Sequence, residues 1–285
     1  MKVPVRMPVN RIDQLRKVGR SKLKNKFKDP SYECDLLLCY VLNVDRTYLF
    51  KNPEHIVEDS KAEKLLSLLE ERCKNVPIQY LTGSQIFMGL DFFVNSDVLI
   101  PRPDTEILVE NAIKILPESA RVLDLCTGSG CIGISIAFYR KDIIMTCSDI
   151  SDSAIKVAKK NALGNGVYNI DFATGNLFEP FDGVKFDGVV SNPPYIPEED
   201  ITALEPQVKD YEPQAALNGG RDGMDFYRKI ISQAPLFLSN YGILMLESGI
   251  NQSDKIVELM SKNFSEPVVL QDLNGIKRVV QGKLF

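Results

Sequence analysis

Histidine is nearly absent from this chain, and His55 is the only one. The six cysteines include no C-x-x-C pair; Cys34 and Cys39 stand five apart, as do Cys126 and Cys131. Together these absences exclude a zinc site and a Cys/His nucleophile. The cysteines are expected to be small buried hydrophobes. No apolar run approaches the ~20 residues a spanning helix needs. The first ten residues, M-K-V-P-V-R-M-P-V-N, lack the apolar core of a signal peptide. They are basic and poor in acids, but their prolines argue against a transit peptide. Internal repeats and low-complexity segments are also missing. What is present, 44% hydrophobic and 25% charged residues in a chain of 285, suits a soluble, cytoplasmic protein of one large or two smaller domains.

Charge is unevenly spread. Residues 1–28 carry ten Lys and Arg against one acid, Asp13, a net +9, so the rest of the chain carries −13 of a total of −4. Such a basic arm suits either an RNA or ribosome-like surface or simply a solvated helix face.

The first 82 residues have helical spacing. Leu15, Val18, Leu23 and Phe27 recur loosely, as do Leu36, Leu37, Tyr40 and Val41, then Leu65, Leu68 and Leu69. Pro30, Pro53 and Pro77 punctuate these segments. Residues 85–100, Q-I-F-M-G-L-D-F-F-V-N-S-D-V-L-I, are aromatic and β-branched around a glycine. They predict a β-hairpin linker between two domains. Strand and helix patterns then alternate. Strands are expected at Arg121–Leu125, Ile143–Ser148, Tyr168–Ala173, Phe186–Ser191, Gly242–Glu247, Val268–Asp272 and Lys277–Gly282. Helices are expected at Thr105–Leu116, Cys131–Tyr139, Ser151–Leu163, Asp225–Leu238 and Gln252–Asn263. The fold class is α/β, with a mainly parallel sheet covered on both faces. Asn274 and Gly275 leave no room for a helix between the last two strands, so an antiparallel hairpin should close one edge.

Two motifs carry chemistry. In V-L-D-L-C-T-G-S-G-C-I-G (122–133) a strand enters a glycine loop that opens a helix. Gly128, Gly130 and Gly133 spell the dinucleotide fingerprint, yet Asp124, Cys126 and Thr127 intervene before the glycines. A longer loop with an acid at the strand tip suits a ligand bearing an amino acid moiety, such as S-adenosylmethionine. A dinucleotide, or a turn needed only for packing, are the other readings. Asp149, ending the next strand, stands where an acid accepts from both ribose hydroxyls.

The second motif is V-V-S-N-P-P-Y-I-P (189–197). Prolines donate no ladder hydrogen bond, so the strand must stop at Asn192. Pro193 and Pro194 each press the residue before them into an extended backbone. The result is a stiff elbow at the carboxyl end of the sheet. There the Asn192 side-chain oxygen and the Pro193 carbonyl can both accept from one planar NH₂ group. Tyr195 offers a flat ring for stacking. Two such acceptors suit a nitrogen whose lone pair is delocalised, because they stabilise positive charge as it develops there.

Glycine loop, ribose acid and Asn-Pro-Pro-Tyr together resemble class I S-adenosylmethionine-dependent methyltransferases acting on planar nitrogens. Further stretches are P-I-Q-Y-L-T-G (77–83), F-M-G-L-D-F (87–92), I-P-R-P-D-T-E (100–106), Y-E-P-Q-A-A-L (211–217), G-G-R-D-G (219–223) and Y-R (227–228). With these the chain resembles the peptide-chain release factor glutamine methyltransferases, the PrmC/HemK family, over nearly its whole length. The resemblance implies a Rossmann-like seven-stranded sheet in residues 101–285, a helical substrate-clamping domain in 1–82 and the hairpin linker in 83–100. It implies methyl transfer to N5 of the glutamine in the Gly-Gly-Gln motif of class I release factors. It puts Cys126, Thr127, Gly128, Ser129 and Gly130 along the methionine part of the cofactor, Asp149 on the ribose, and Asn176 and Leu177 beside the adenine. Asn192, Pro193, Pro194 and Tyr195 would hold the substrate glutamine, with Asn192 also reaching the cofactor. Two positions depart from the family: Cys126 stands where many members have glycine, and Leu177 where some have an aromatic ring.

The rival enzyme is an amino-methyltransferase for adenine in nucleic acid or for a ribosomal protein. Nucleic-acid enzymes need a basic recognition surface, and residues 29–285 sum to −13. A non-catalytic sensor of the cofactor would not need an amide-orienting elbow. The expected partner is therefore a release factor, without nucleic acid or membrane, met by a monomer.

Overall fold

The computed structural model describes residues 10–285, which fall into two compact units divided at Gly83 and Ser84. Residues 1–9, and with them the start of the basic arm, lie outside the described residues. The first unit is helical: α1 (Ile12–Leu23), α2 (Pro30–Leu42), α3 (Arg46–Lys51), α4 (Asp59–Cys73) and α5 (Ile78–Thr82). Asp29 and Asp45 cap α2 and α3 by accepting from the amides of Tyr32 and Tyr48, and Pro30 sits in the first turn, where a missing N–H costs nothing. Ile12, Leu15, Leu37, Leu38, Leu65 and Leu69 meet in its core. Part of the basic charge is spent inside this unit. Arg16 and Arg46 converge on buried Asp35, and Arg11 pairs with Asp13 and Glu54.

The second unit begins with the hairpin strands β1 (Gln85–Phe87) and β2 (Leu90–Phe92). The strands end there; residues 93–102 are irregular, so the hairpin is half the predicted length and belongs to the second unit. Then follow α6 (Glu106–Ile115), β3 (Arg121–Leu125), α7 (Cys131–Tyr139), β4 (Ile144–Asp149), α8 (Asp152–Gly164), β5 (Ile170–Thr174) and β6 (Phe186–Ser191). After two short helices, α9 (Pro206–Lys209) and α10 (Gln214–Leu217), come α11 (Asp225–Phe237), β7 (Leu238–Glu247), α12 (Ser253–Met260), β8 (Phe264–Gln271) and β9 (Lys277–Leu284).

The seven strands run in the order β5-β4-β3-β6-β7-β9-β8. The first five are parallel, and β9 pairs antiparallel with both β7 and β8. The predicted edge hairpin is thus present. The central strands β3 and β6 and the second half of β7 bury both faces, which explains their near-continuous apolar runs. Val122, Val190, Met245 and Val279 face α6 and α7, while Leu123, Val189, Leu244 and Val280 face α11 and α12. The chain moves from β3 outward to β5, then returns to lay β6 on the other side of β3. That reversal opens a crevice at the carboxyl ends of β3, β4 and β6, where such sheets bind ligands.

Candidate active site

Four strand ends, those of β3, β4, β5 and β6, frame the crevice, and each delivers one predicted segment. Behind β3, Cys126 turns with φ +58° and Gly130 with φ +82°, before α7 starts. A side chain at Gly130 would press on Ile134 and Ala158, so this is a true glycine position. Beside Gly128 the space is open: a Cβ there would meet nothing within 4 Å. The loop is pinned from several sides. The Thr127 amide donates to the Ser148 carbonyl at 3.0 Å, and the Gly128 amide to Asp149 Oδ2 at 2.9 Å. Asn161 Nδ2 donates to the Ser129 carbonyl at 2.8 Å and to that of Phe93, tying loop, α8 and hairpin together.

Asp124 does not face the crevice. It is fully buried under the loop, where its Oδ2 accepts from Thr127 Oγ1 at 2.5 Å and from the Gly133 amide at 3.0 Å. Burial pushes its carboxyl up to about 7, against those two hydrogen bonds. The acid at the strand tip therefore shapes the loop rather than meeting an amino acid moiety.

Asp149 ends β4 and does line the crevice. Its Oδ1 accepts from the Ser151 amide at 3.0 Å, and its Oδ2 from Gly128. One lone pair on each oxygen is so committed, which leaves the others for a ligand diol. Burial raises its carboxyl, and the same amides hold it back. Asn176 and Leu177 follow β5 on the same wall. Leu177 has φ +51° and is buried, with no aromatic ring in its place.

The elbow follows β6. Pro193 and Pro194 are buried, and Asn192 and Tyr195 half-buried. The Ser191 hydroxyl donates to the Leu125 carbonyl at 2.7 Å, joining the bases of elbow and glycine loop. Asn192 Nδ2 donates to Thr105 Oγ1 at 3.3 Å. Burial pushes the Tyr195 phenol up to about 12, so it stays neutral.

The crevice holds a cavity of about 610 Å³, with a smaller one of about 40 Å³ beside it. Cys126, Gly128 and Asn192 line both; Asp149, Asn176, Leu177 and Pro194 line the larger, Thr127 and Ser129 the smaller. Gly130, Pro193 and Tyr195 line neither, although Gly130 makes the loop's turn and Pro193 and Tyr195 flank lining residues. Cys126 remains a thiol, because burial and the charges of Asp149 and Asp124 raise it far above the ordinary range.

Sequence reasoning left out the support of this site. In I-P-R-P-D-T-E each polar side chain holds a different element. Arg102 pairs with buried Glu212 at 2.5 Å, Asp104 with Arg278 at 2.7 Å, and Glu106 accepts from the Met88 amide at 2.7 Å. The G-G-R-D-G turn braces the elbow: the Gly219 amide donates to the Ile196 carbonyl at 2.9 Å, and the Ile196 amide to that of Leu217 at 3.0 Å. Gln252 Nε2 donates to the Tyr195 carbonyl at 2.8 Å. The only signal was the recurrence of polar residues beside Gly and Pro in those stretches. Residues 96–99, Phe226 and Lys229, which line the larger cavity, carried no signal at all.

Comparison with known proteins agrees with this architecture. Residues 14–83 match the family described as PrmC N-terminal domain, and residues 103–206 the methyltransferase small domain. A release factor glutamine methyltransferase of Geobacter sulfurreducens is 42% identical over 88% of this chain and 89% of its own. One from Clostridium acetobutylicum is 43% identical over 87% of this chain and 89% of its own. Among solved structures, a methyltransferase from Pyrococcus furiosus shares the fold with a TM-score of 0.52 at 15% identity, covering 79% of this chain and 98% of that one. A T. thermophilus 16S rRNA N2 G1207 methyltransferase in complex with AdoMet and guanosine also reaches 0.52, at 16% identity, covering 71% and 50%. Shared sequence over nearly nine-tenths of both chains, with both characteristic domains present, makes this chain a member of the release factor glutamine methyltransferase family.

Proposed function

We propose that this enzyme transfers a methyl group from S-adenosylmethionine to N5 of the glutamine in the Gly-Gly-Gln motif of class I release factors. The observation that carries the reading is Asn192, which stands at the elbow and lines both cavities beside the glycine loop. A group that must touch cofactor and substrate at once belongs at that junction.

The residues fit the cofactor. A cavity of about 610 Å³ suits a ligand of this size. The open space over Gly128 admits a chain against the loop backbone. Asp149 offers lone pairs for a ribose diol, Leu177 an apolar wall for a base, and Asn176 a polar edge. Cys126, Thr127, Ser129 and Gly130 form the loop along the amino acid part. When bound, S-adenosylmethionine supplies an electrophilic methyl on a sulfonium.

The protein's task is then to orient a weak nucleophile. Asn192 Oδ1 and the Pro193 carbonyl accept from the substrate NH₂ and stabilise charge gathering on that nitrogen. Pro194 and Tyr195 restrict the group to the line of transfer. An alkylated amide cation releases its proton to water, so no protein base is needed. Cys126, held as a thiol, does not compete for the methyl group. The helical unit 1–82 clamps the release factor, and the enzyme works as a monomer in the cytoplasm on protein rather than nucleic acid.

The test is mass spectrometry of a class I release factor incubated with the protein and S-adenosylmethionine. One added methyl mapped to the Gly-Gly-Gln glutamine is the expected result. No addition, with cofactor binding shown separately, would move the substrate to another planar amine, and a duplex oligonucleotide and a ribosomal protein would be tried next.

A further inference from the structure

Asn192 carries an ambiguity that the elbow alone does not resolve. Its side-chain amide is nearly symmetric in shape, and a half-turn exchanges acceptor for donor. The proposed chemistry needs the oxygen toward the substrate. Thr105 cannot decide the matter, because a hydroxyl either accepts from Nδ2 or donates to Oδ1.

Behind this pair lies Glu247. It ends β7, and the β6–β7 register, which sets Ser191 beside Leu246, brings Asn192 alongside it. Glu247 is 3% exposed and Thr105 2%. The Thr105 hydroxyl and the Asn192 amide favour an ionised Glu247 against its burial, and its Oε2 is buried without a hydrogen-bond partner. Its backbone is anchored separately: the Tyr227 hydroxyl donates to its carbonyl at 2.9 Å.

We propose that Glu247 is a positioning residue that sets the direction of the Asn192 amide, acting directly and through Thr105. This rests on the function proposed above. An ionised carboxylate accepts only. It therefore accepts a hydrogen bond from the Thr105 hydroxyl, which leaves Thr105 Oγ1 to accept from Asn192 Nδ2, and Oδ1 is turned outward. Protonated, the carboxyl can donate instead. Thr105 can then donate to Asn192, and the amide loses its preferred direction. Burial raises Glu247 to about 7, so the switch falls within the working range. Asp104 and Arg278 also act on this carboxyl from the segment before α6 and from β9, and Tyr195, Tyr227 and Cys131 face it from the elbow, α11 and α7.

The test measures kcat for release-factor methylation from about pH 6 to about pH 8.5, with cofactor affinity by calorimetry at each end. Wild type should lose kcat below about pH 7, while cofactor affinity holds. Glu247→Leu should lose kcat by about tenfold or more at high pH, with KM and cofactor affinity within about twofold. Glu247→Gln, which like the protonated carboxyl both donates and accepts and has no titration, should hold kcat low at every pH and lose the acid limb. Thr105→Val, which buries no new bulk, should behave like Glu247→Leu; Thr105→Ser should restore activity. The inference is overturned if folded Glu247→Leu and Thr105→Val keep wild-type kcat, or if the acid limb persists in Glu247→Gln. A wild type that binds cofactor yet leaves the release factor unmodified would instead overturn the proposed function, before any variant is compared.

Discussion

Asp149→Asn is the substitution whose consequence the structure specifies most closely. It removes one charge and exchanges one oxygen for an NH₂. In the wild type the two carboxylate oxygens accept from two different backbone amides, Gly128 onto Oδ2 and Ser151 onto Oδ1. An asparagine can satisfy one of them. The other N–H must then face an NH₂, which costs about 1–3 kcal/mol for an unpaired buried donor. The ligand suffers as well. One ribose hydroxyl loses a hydrogen bond to a charged acceptor, worth about 1.5–3 kcal/mol. The first cost falls on folding and loop order, the second on binding. Cofactor affinity should therefore drop roughly 10- to 150-fold, as about 1.5–3 kcal/mol requires. Calorimetry with S-adenosylmethionine measures this directly. The control is a cofactor analogue lacking both ribose hydroxyls. Wild type should bind it at least as weakly as Asp149→Asn binds the natural cofactor, and the variant should distinguish the two less than wild type does. If the variant still discriminates against the dideoxy analogue as strongly as wild type does, Asp149 holds the loop and not the ribose.

Further outcomes are expected at neighbouring positions. Asn192→Ala should lose about 2–4 kcal/mol of transition-state stabilisation with cofactor binding largely kept; turnover within tenfold of wild type would refute its role as acceptor. Gly223→Ala places a Cβ 2.3 Å from the Tyr195 carbonyl oxygen at a backbone φ of +73°, so it should displace the elbow and depress kcat, while calorimetry finds the cofactor bound as before. Asp124→Asn tests the buried acid under the loop. Its carboxyl is raised from 3.8 to about 7, so the stability it contributes is full below about pH 4 and is lost as pH rises through about 7. Thermal melts should show the Asn variant gaining on wild type between about pH 5 and about pH 8, and a gap that does not change with pH would mean Asp124 titrates normally.

Much of this protein is determined locally, and so was legible in its sequence. Cys131–Tyr139 and the strands Arg121–Leu125 and Phe186–Ser191 begin and end where their patterns do, because glycine, charge and proline punctuate the backbone at those points. The seven-stranded α/β sheet follows from alternating apolar runs that must be covered on both faces. The halt at Asn192 follows from two pyrrolidine rings without N–H groups. Boundaries set by packing were less legible. Strand β7 starts at Leu238 rather than Gly242, and the hairpin strands stop at Phe92, because pairing partners and not intrinsic preference decide where a ladder ends.

Only the tertiary structure decided which acids face the crevice. Asp124 and Asp149 look alike in sequence, each near the end of a strand before a turn. Their fates differ because Asp124 precedes the strand's last residue and is roofed by its own loop, whereas Asp149 ends its strand and opens onto the crevice. Glu247 and Thr105 stand 142 positions apart in the chain, and Arg102 and Glu212 stand 110 apart. No local pattern marks either pair, since burial and strand register, both properties of the assembled sheet, bring them together.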